Sequence, residues 1–567
     1  MVSMRVAHIG RMPCPYAQDR LRKAGQPCRV TRGQDNVSPL FSNFLLEVNV
    51  IRKILFLFGL GLLFLPTRAW SQDQPEVFTE TKHDVSPALR DTPQIAPSSE
   101  PKHERPLRFT HVPPEFAPQA DPALQSPESR PLVGTTAGLN FQGVGVGLGN
   151  FSDCCAPPDT NGAAGATQFV QWVNLSFAVF DKATGHVLLG PSAGNTLWTG
   201  FGGPCETTND GDPIAQYDKA AGRWVLAQPV FTSPFMYCIA VSTTSDATGT
   251  YNRYAFSMPN FPDYPKLGVW PDGYYASFNM FSGNSFVGAR ACAFNRAAML
   301  SGATATMVCF QESSSVPSLL PSDLDGATAP PAGSPNFYLN FGSNSLNLFR
   351  FHVDFTNPAN STFTGPFNIS VAAFTEACGG GACIHQPSTS QKLDSLADRL
   401  MYRLAYRNRS GTESLMVNHS IFVSGNKHSQ VDGVRWYEIR SPNGTPTIFQ
   451  QGTFSPDSNS RWMGSIAMDK VGNIAVGYSV SSGSLFPAIR FTGRVPGDPL
   501  GTLEAENTIL NGAGSQLSNL SRWGDYSSIS VDPANDCTFW YTNEYLMNSG
   551  TFNWSTRIAS FKFPTCQ

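Results

Sequence analysis

Charge is scarce in this chain: only 14% of its residues are Asp, Glu, Lys or Arg, and 39 basic against 42 acidic side chains leave a net charge of -3. There is no basic excess of the kind that holds nucleic acid, and no acidity of the kind that marks a solvating tail. Long apolar runs are lacking as well. The run from Ile54 to Leu65 falls short of the roughly 20 residues that span a bilayer comfortably. No His-Glu-x-x-His, phosphate-binding loop, EF-hand loop or Cys-x-x-Cys pair occurs, which removes the familiar zinc-protease, nucleotide-enzyme and calcium-loop readings. Histidine is sparse too: His186, His352, His385, His419 and His428 are scattered through the later chain without ligand spacing.

What the chain has in quantity is turn and strand chemistry: 50 Gly, 44 Pro, 40 Phe, 16 Tyr and 10 Trp. Such a composition is poor in helix formers and predicts an all-β fold. Arg52 and Lys53, the short apolar run and Ala69-Trp70-Ser71 read as a secretory signal peptide over residues 50–71. The product is then secreted or periplasmic, with no membrane span once the signal is removed. Residues 1–49, mixed in charge and without amphipathic period, read as an unstructured or spurious extension ahead of a natural start near Val50. Of twelve cysteines, ten follow the signal, an even number that predicts disulfides in an oxidising compartment. Cys378 and Cys383 can close a small loop and Cys292 and Cys309 flank an expected strand pair, with the pairing left open. Twelve prolines between Gln72 and Leu132 predict a disordered linker over 72–135, followed by one domain over 136–567.

Within that domain one unit recurs. "SRWMGSIAMDKVGNIAVGYSV", from Ser460, is two apolar alternations split by a turn, and "SRWGDYSSISVDPANDCTFWYTNEY", from Ser521, has the same plan. "DYPKLGVWPDGYYASFNMF", from Asp263, "GDPIAQYDKAAGRWVLAQ", from Gly211, and "DRLMYRLAYRNRSGTESLMVNHSI", from Asp398, are further copies, and "PPDTNGAAGATQFVQWVN" is a weaker one. Asp159 to Asp212 is 53 residues, Asp212 to Asp263 is 51, and Trp462 to Trp523 is 61. Periods of this length in an all-β chain point to radial repetition, and the domain has room for six or seven four-stranded blades of a β-propeller. A lone twisted sheet leaves both faces bare, whereas a ring of sheets buries each against the next. The competing architecture is a pair of β-sandwiches.

"IAMDKVGNIAVGYS" resembles the inner hairpins of NHL-type and sialidase-like propellers, and "SVDPANDCTFW" is similar to a degraded Asp-box carried by Ser530, Asp532 and Trp540. The full Ser-x-Asp-x-Gly-x-Thr-Trp pattern does not occur. The run from "PPDTNGA" through "NDGDP" and "DYPKLGVWPDGYY" to "RWGDYS" also resembles a group of exported bacterial propellers. That likeness covers about residues 150–567 and implies fold and export, with no particular reaction.

If the ring closes, acids just ahead of the innermost strands converge on its axis. Asp210, Asp212, Asp263 and Asp525 are the candidates for catalysis, since paired carboxylates suit glycoside hydrolysis. Asp159 and Asn161, with Asp212 nearby, offer hard oxygen ligands for Ca²⁺, the one cofactor considered. The repeated Arg461-Trp462 and Arg522-Trp523 match an acidic sugar, the guanidinium taking a carboxylate and the indole a ring face. Trp270 and Tyr274 in "VWPDGYY" are further candidates for the ligand platform. The expected function is binding, and as a candidate activity hydrolysis, of an extracellular polysaccharide by a monomer at its axial pocket. The alternative is a non-catalytic scaffold that binds a cell-surface protein.

Overall fold

A computed structural model describes residues 74–97, 101–110, 116–126 and 131–567. The expected extension and signal peptide lie outside these residues.

Among the described residues seven antiparallel units of four or five strands follow one another along the chain, two of them merged in one eight-stranded sheet. Their innermost strands are Asn161–Ala164, Ile214–Asp218, Phe261–Val269, Leu320–Asp325, Met401–Arg409, Ser460–Met468 and Ser528–Val531. Each packs beside the next and the last packs beside the first, so the sheets form a closed ring of seven blades, numbered here in that order. The stretch from Ser460 is thus the inner hairpin of blade 6, paired Met468 to Ile474 across the Asp-Lys-Val-Gly-Asn turn. Blades 4 and 5 are also joined directly, their innermost strands running parallel from Ser322 opposite Leu404 to Asp325 opposite Arg407. Blade 7 is built from both ends of the domain: Thr136–Gln142 supplies its outer strand, with Phe141 opposite Ile558. Hydrogen bonds across that blade therefore fasten the ring.

The aspartates of the repeated turns act on their own hairpins. Asp469 Oδ1 accepts from the backbone N–H groups of Val471, Gly472 and Asn473 at 2.9–3.0 Å. Asp532 accepts from Ala534 N and from Trp540 Nε1. The lysine that follows the turn aspartate reaches across to a neighbouring turn, as Lys182 does to Asp532 at 2.7 Å and Lys470 to the Asn535 carbonyl.

A second regularity is invisible in residue type. Asp159, Asp212, Ser318 and Asp525 stand just ahead of the inner strand in blades 1, 2, 4 and 7, and Tyr264 and Met463 stand at a register shift within it in blades 3 and 6, all with φ between 48° and 58°. This left-handed corner turns the chain from the preceding blade into the axis. It also aims what precedes the strand toward one end of the ring.

The described part of residues 72–135 corrects the expectation of a disordered linker. Glu76–Thr79 adds a fifth strand to blade 3, and Lys82–Val85 adds one to blade 2. Proline prevents sheet pairing only where it falls inside a strand, and here Pro75 and Pro87 flank these short segments instead. Covering the two edges also supplies charge. Glu76 takes buried Arg290 in a two-pronged pair at 3.0–3.1 Å, and Asp84 takes buried Arg253 at 2.7–2.8 Å.

Among the described residues five disulfides complete the frame: Cys154–Cys155, Cys205–Cys238, Cys292–Cys309, Cys378–Cys383 and Cys537–Cys566. Cys292 and Cys309 face each other on adjacent strands of blade 3. Among the described residues no helix is long and apolar enough to cross a membrane.

Candidate active site

The left-handed corners of blades 1, 2, 3 and 7 deliver four carboxylates to one cavity at the end of the ring where the inner strands begin. The cavity has a volume of about 190 Å³ and is bordered by Asp159, Asp210, Asp212, Asp263 and Asp525. The acids occupy two depths. Asp159 and Asp525 form a buried floor, while Asp210, Asp212 and Asp263 keep part of their surface open. Asp212 Oδ2 accepts from Tyr264 N at 3.0 Å, so blade 2 fixes the corner of blade 3, and Asp210 Oδ2 accepts from Phe231 N at 2.8 Å.

The floor is crossed by compensating cations. Arg522 is bound to Asp525 and lies 3.2 Å from Asp394 Oδ2. Arg399 makes a two-pronged pair with Asp398 at 2.7 and 2.9 Å and lies over the Tyr264 ring at 4.4 Å. Lys266 is fully buried, its ammonium 3.4 Å from the Tyr264 ring centre and 4.0 Å from that of Tyr526.

Taking so many acids out of water sets their protonation. Burial, with the charges of Asp525 and Asp212, pushes Asp159 well above the ordinary carboxylate range. Burial also raises Asp212, against the pull of Lys266. Asp263 is pushed up to about 7 by burial and by Asp212, with Arg399 and Arg108 opposing. Lys266 is brought down to about 7 by burial, although the surrounding acids resist. Asp263, whose carboxyl holds its proton up to near neutrality, thus borders the same cavity as Asp525, which is bound by Arg522.

Sequence reasoning missed the wall of the cavity. Residues 101–110 run across its mouth, with His103–Glu104 parallel to Cys155–Ala156. Glu104 Oε1 accepts from the backbone N–H groups of Ser521 and Arg522, both at 2.7 Å, which pins this strap to blade 7. Arg105 and Arg108 thereby line the cavity, Arg108 resting on the Phe261 ring at 4.3 Å. Among the described residues neither arginine has a side-chain ion pair, and Arg105 Nε is buried without a hydrogen-bond partner. The signal was local and weak: an Arg-Pro-Leu-Arg stretch inside a proline-rich segment.

Several expected ligand residues lie elsewhere. Trp462 and Trp523 are fully buried between blades 6 and 7, ring centres 6.0 Å apart, with Trp523 Nε1 donating to Ser479 Oγ. Arg461 is committed twice, to Glu506 at 2.8–2.9 Å and to Asp457 at 2.8–3.1 Å. Trp270 packs on Tyr406 at 4.7 Å, and Tyr274 donates to Asp218 Oδ2 at 3.0 Å within a cluster with Arg296. The two tryptophans thus share a single contact between blades 6 and 7, and only Arg522 of the set reaches the cavity. Replacing Arg461 by Met is expected to cost about 3 kcal/mol, since Glu506 keeps Arg490 but loses its main partner. Thermal denaturation measures this, and saccharide binding by the folded variant is expected to match wild type.

Asn161 also serves the frame: its Oδ1 accepts from Ala215 N at 2.8 Å, joining blade 1 to blade 2, and it does not line the cavity. The acceptors left buried and unpaired at the cavity are Asp159 Oδ1 and Asn174 Oδ1. These are hard oxygens that suit Ca²⁺ in type, while Lys266 and Arg522 already supply positive charge to the same floor. The Gly190-x-Ser192-x-Gly194 spacing does not mark a nucleophile. Ser192 lies on an outer strand of blade 1, with its hydroxyl bound to Gln94 Oε1 at 2.7 Å.

No protein-family model matches the chain, and no curated protein does. Among solved structures the chain is similar to the N-terminal domain of Nup159, at 9% identity and TM-score 0.34 over 78% of this chain and 98% of that one. It is also similar to the polysaccharide lyase Uly1, at 10% identity and TM-score 0.34 over 77% and 100% of the two chains. A third is Zg3597, a family 117 glycoside hydrolase from the marine bacterium Zobellia galactanivorans, at 11% identity and TM-score 0.25 over 76% and 90%. Likeness at this level says nothing about activity.

Proposed function

We propose that this protein is an exported glycan-processing propeller that binds an acidic polysaccharide at the mouth of its ring and hydrolyses it there. The observation that carries the reading is the convergence of four aspartates from four blades with two strap arginines that have no side-chain ion pair among the described residues. Hydrolysis of a glycosidic bond needs one carboxyl that donates a proton to the leaving oxygen and one carboxylate that acts as base or nucleophile. Asp263, open to the cavity and protonated up to about pH 7, fills the first role. Asp525, held beside Arg522, fills the second. Arg105 and Arg108 carry positive charge to the mouth, where a uronate or sulfate on the saccharide would meet it. Phe231, Phe261 and Tyr264 supply ring faces beside them.

The test is a panel of uronate-containing, sulfated and neutral polysaccharides, read by release of reducing ends and by thermal shift. Release from acidic members, lost when Arg105 and Arg108 are both changed to Gln, is the expected result. Binding without release from any member would leave a lectin, and neither binding nor release would favour the surface scaffold.

A further inference from the structure

The connection from blade 4 to blade 5 carries a cluster that the cavity does not use. Cys378-Gly-Gly-Gly-Ala-Cys383 closes a disulfide loop in which Cys378, Gly379 and Gly380 take φ values of 56°, 59° and 79°. Glycine makes such a reversed path accessible, and the loop folds back against the strand Ser429–Arg440 of blade 5. There Asp432 faces both sulfurs, its Oδ2 3.7 Å from Cys383 Sγ and 4.0 Å from Cys378 Sγ.

Asp432 is unlike the turn aspartates. It is fully buried, its Oδ1 has no hydrogen-bond partner, and Oδ2 receives only a long bond from Ser460 Oγ at 3.4 Å. Among the described residues no Lys or Arg pairs with it. A carboxyl so placed keeps its proton, and burial pushes Asp432 up to about 7. The two sulfurs differ as well: Cys378 is partly exposed, while Cys383 is 8% exposed on the carboxyl side.

We propose that Cys378–Cys383 is a thiol–disulfide exchange site, with Cys378 the sulfur that an incoming dithiol attacks and Asp432 the acid that protonates the departing Cys383. The dithiol's first thiolate bonds to Cys378 Sγ as the bond between the two cysteines breaks. The electron pair leaves on Cys383 Sγ, which takes the Asp432 proton. The second thiolate of the dithiol then attacks its own sulfur in the mixed disulfide and expels Cys378. The dithiol ends as its disulfide, Cys378 leaves as a thiolate that takes a proton from water, Cys383 is left as a thiol, and Asp432 recovers its proton from water. Neutralising a buried leaving thiolate is the step that a positioned acid accelerates.

The other four disulfides of the oxidised protein serve as internal controls. Timed exposure to dithiothreitol, quenched by alkylation and read peptide by peptide in a mass spectrometer, is expected to open Cys378–Cys383 first. Asp432→Asn is expected to slow that pair alone by about tenfold or more. Reduction of this pair no faster than Cys205–Cys238, or an Asp432→Asn variant in which its rate is unchanged, overturns the proposal. Should the variant open all five bonds faster, its fold has been lost. Wild type treated with glutathione then decides: an adduct on Cys378 with Cys383 free supports the assignment, and an adduct on Cys383 defeats it.

Discussion

Asp263→Asn is expected to lower glycan hydrolysis by at least about 100-fold while leaving the ring folded, the loss typical of removing a general acid. The pH profile of the wild type should carry the signature of the same group. Because the Asp263 pKa is raised to about 7, the donor is present below that value, so turnover should fall as pH rises through about 7. The sign for stability runs the same way. A carboxyl whose folded pKa lies above its unfolded one favours the folded state at low pH, and this contribution is lost between about pH 4 and pH 7. Replacing Asp263 by a neutral amide removes that penalty, so the variant should melt no lower than wild type at pH 8. A variant that loses activity and melting temperature together would move Asp263 from chemistry to structure. Steady-state rates with a uronate-containing polysaccharide, alongside melts at pH 5 and pH 8, separate the two.

Trp462→Ala is expected to have the opposite pattern. The side chain is fully enclosed between blades 6 and 7 against Trp523, and emptying such a site costs about 3–5 kcal/mol. Saccharide affinity of the protein that remains folded should be unchanged, because the indole has no surface at the cavity. Calorimetry of the unfolding transition and binding measured well below it test both halves. An unshifted transition with weakened binding would restore the ligand role that the Arg-Trp repeat suggested.

The contrast between these residues shows what a sequence of this kind carries. The cycle of 51 and 53 residues through Asp159, Asp212 and Asp263 was legible because each copy must turn into the axis at the same point, and the same corner places a side chain at the shared mouth. Three of the five cavity aspartates follow from that spacing, Asp525 from the repeat that begins at Ser521, and Asp210 from the Asn-Asp-Gly-Asp stretch beside Asp212. The reading failed where repetition had another cause. Trp462 and Trp523 pack on each other between blades 6 and 7, and pattern alone does not separate a packing pair from a ligand platform. It failed again in the proline-rich segment, where four-residue strands and an arginine strap owe their place to partners about 170–420 residues away, such as Arg253 for Asp84 and Arg522 for Glu104. No local periodicity reports such pairings. Asn161 was misassigned for a related reason, since its oxygen bonds to the next blade rather than facing the cavity.

The central claim is that aspartates from blades 1, 2, 3 and 7 and the strap arginines form one saccharide site. A crystal structure of the Asp263→Asn protein soaked with an acidic oligosaccharide tests it most directly. The account predicts a sugar ring in the cavity between Asp212, residue 263 and Asp525, with its anionic group against Arg105 or Arg108. Sugar density confined to the outer loops of the blades, with the cavity holding only water, would contradict it.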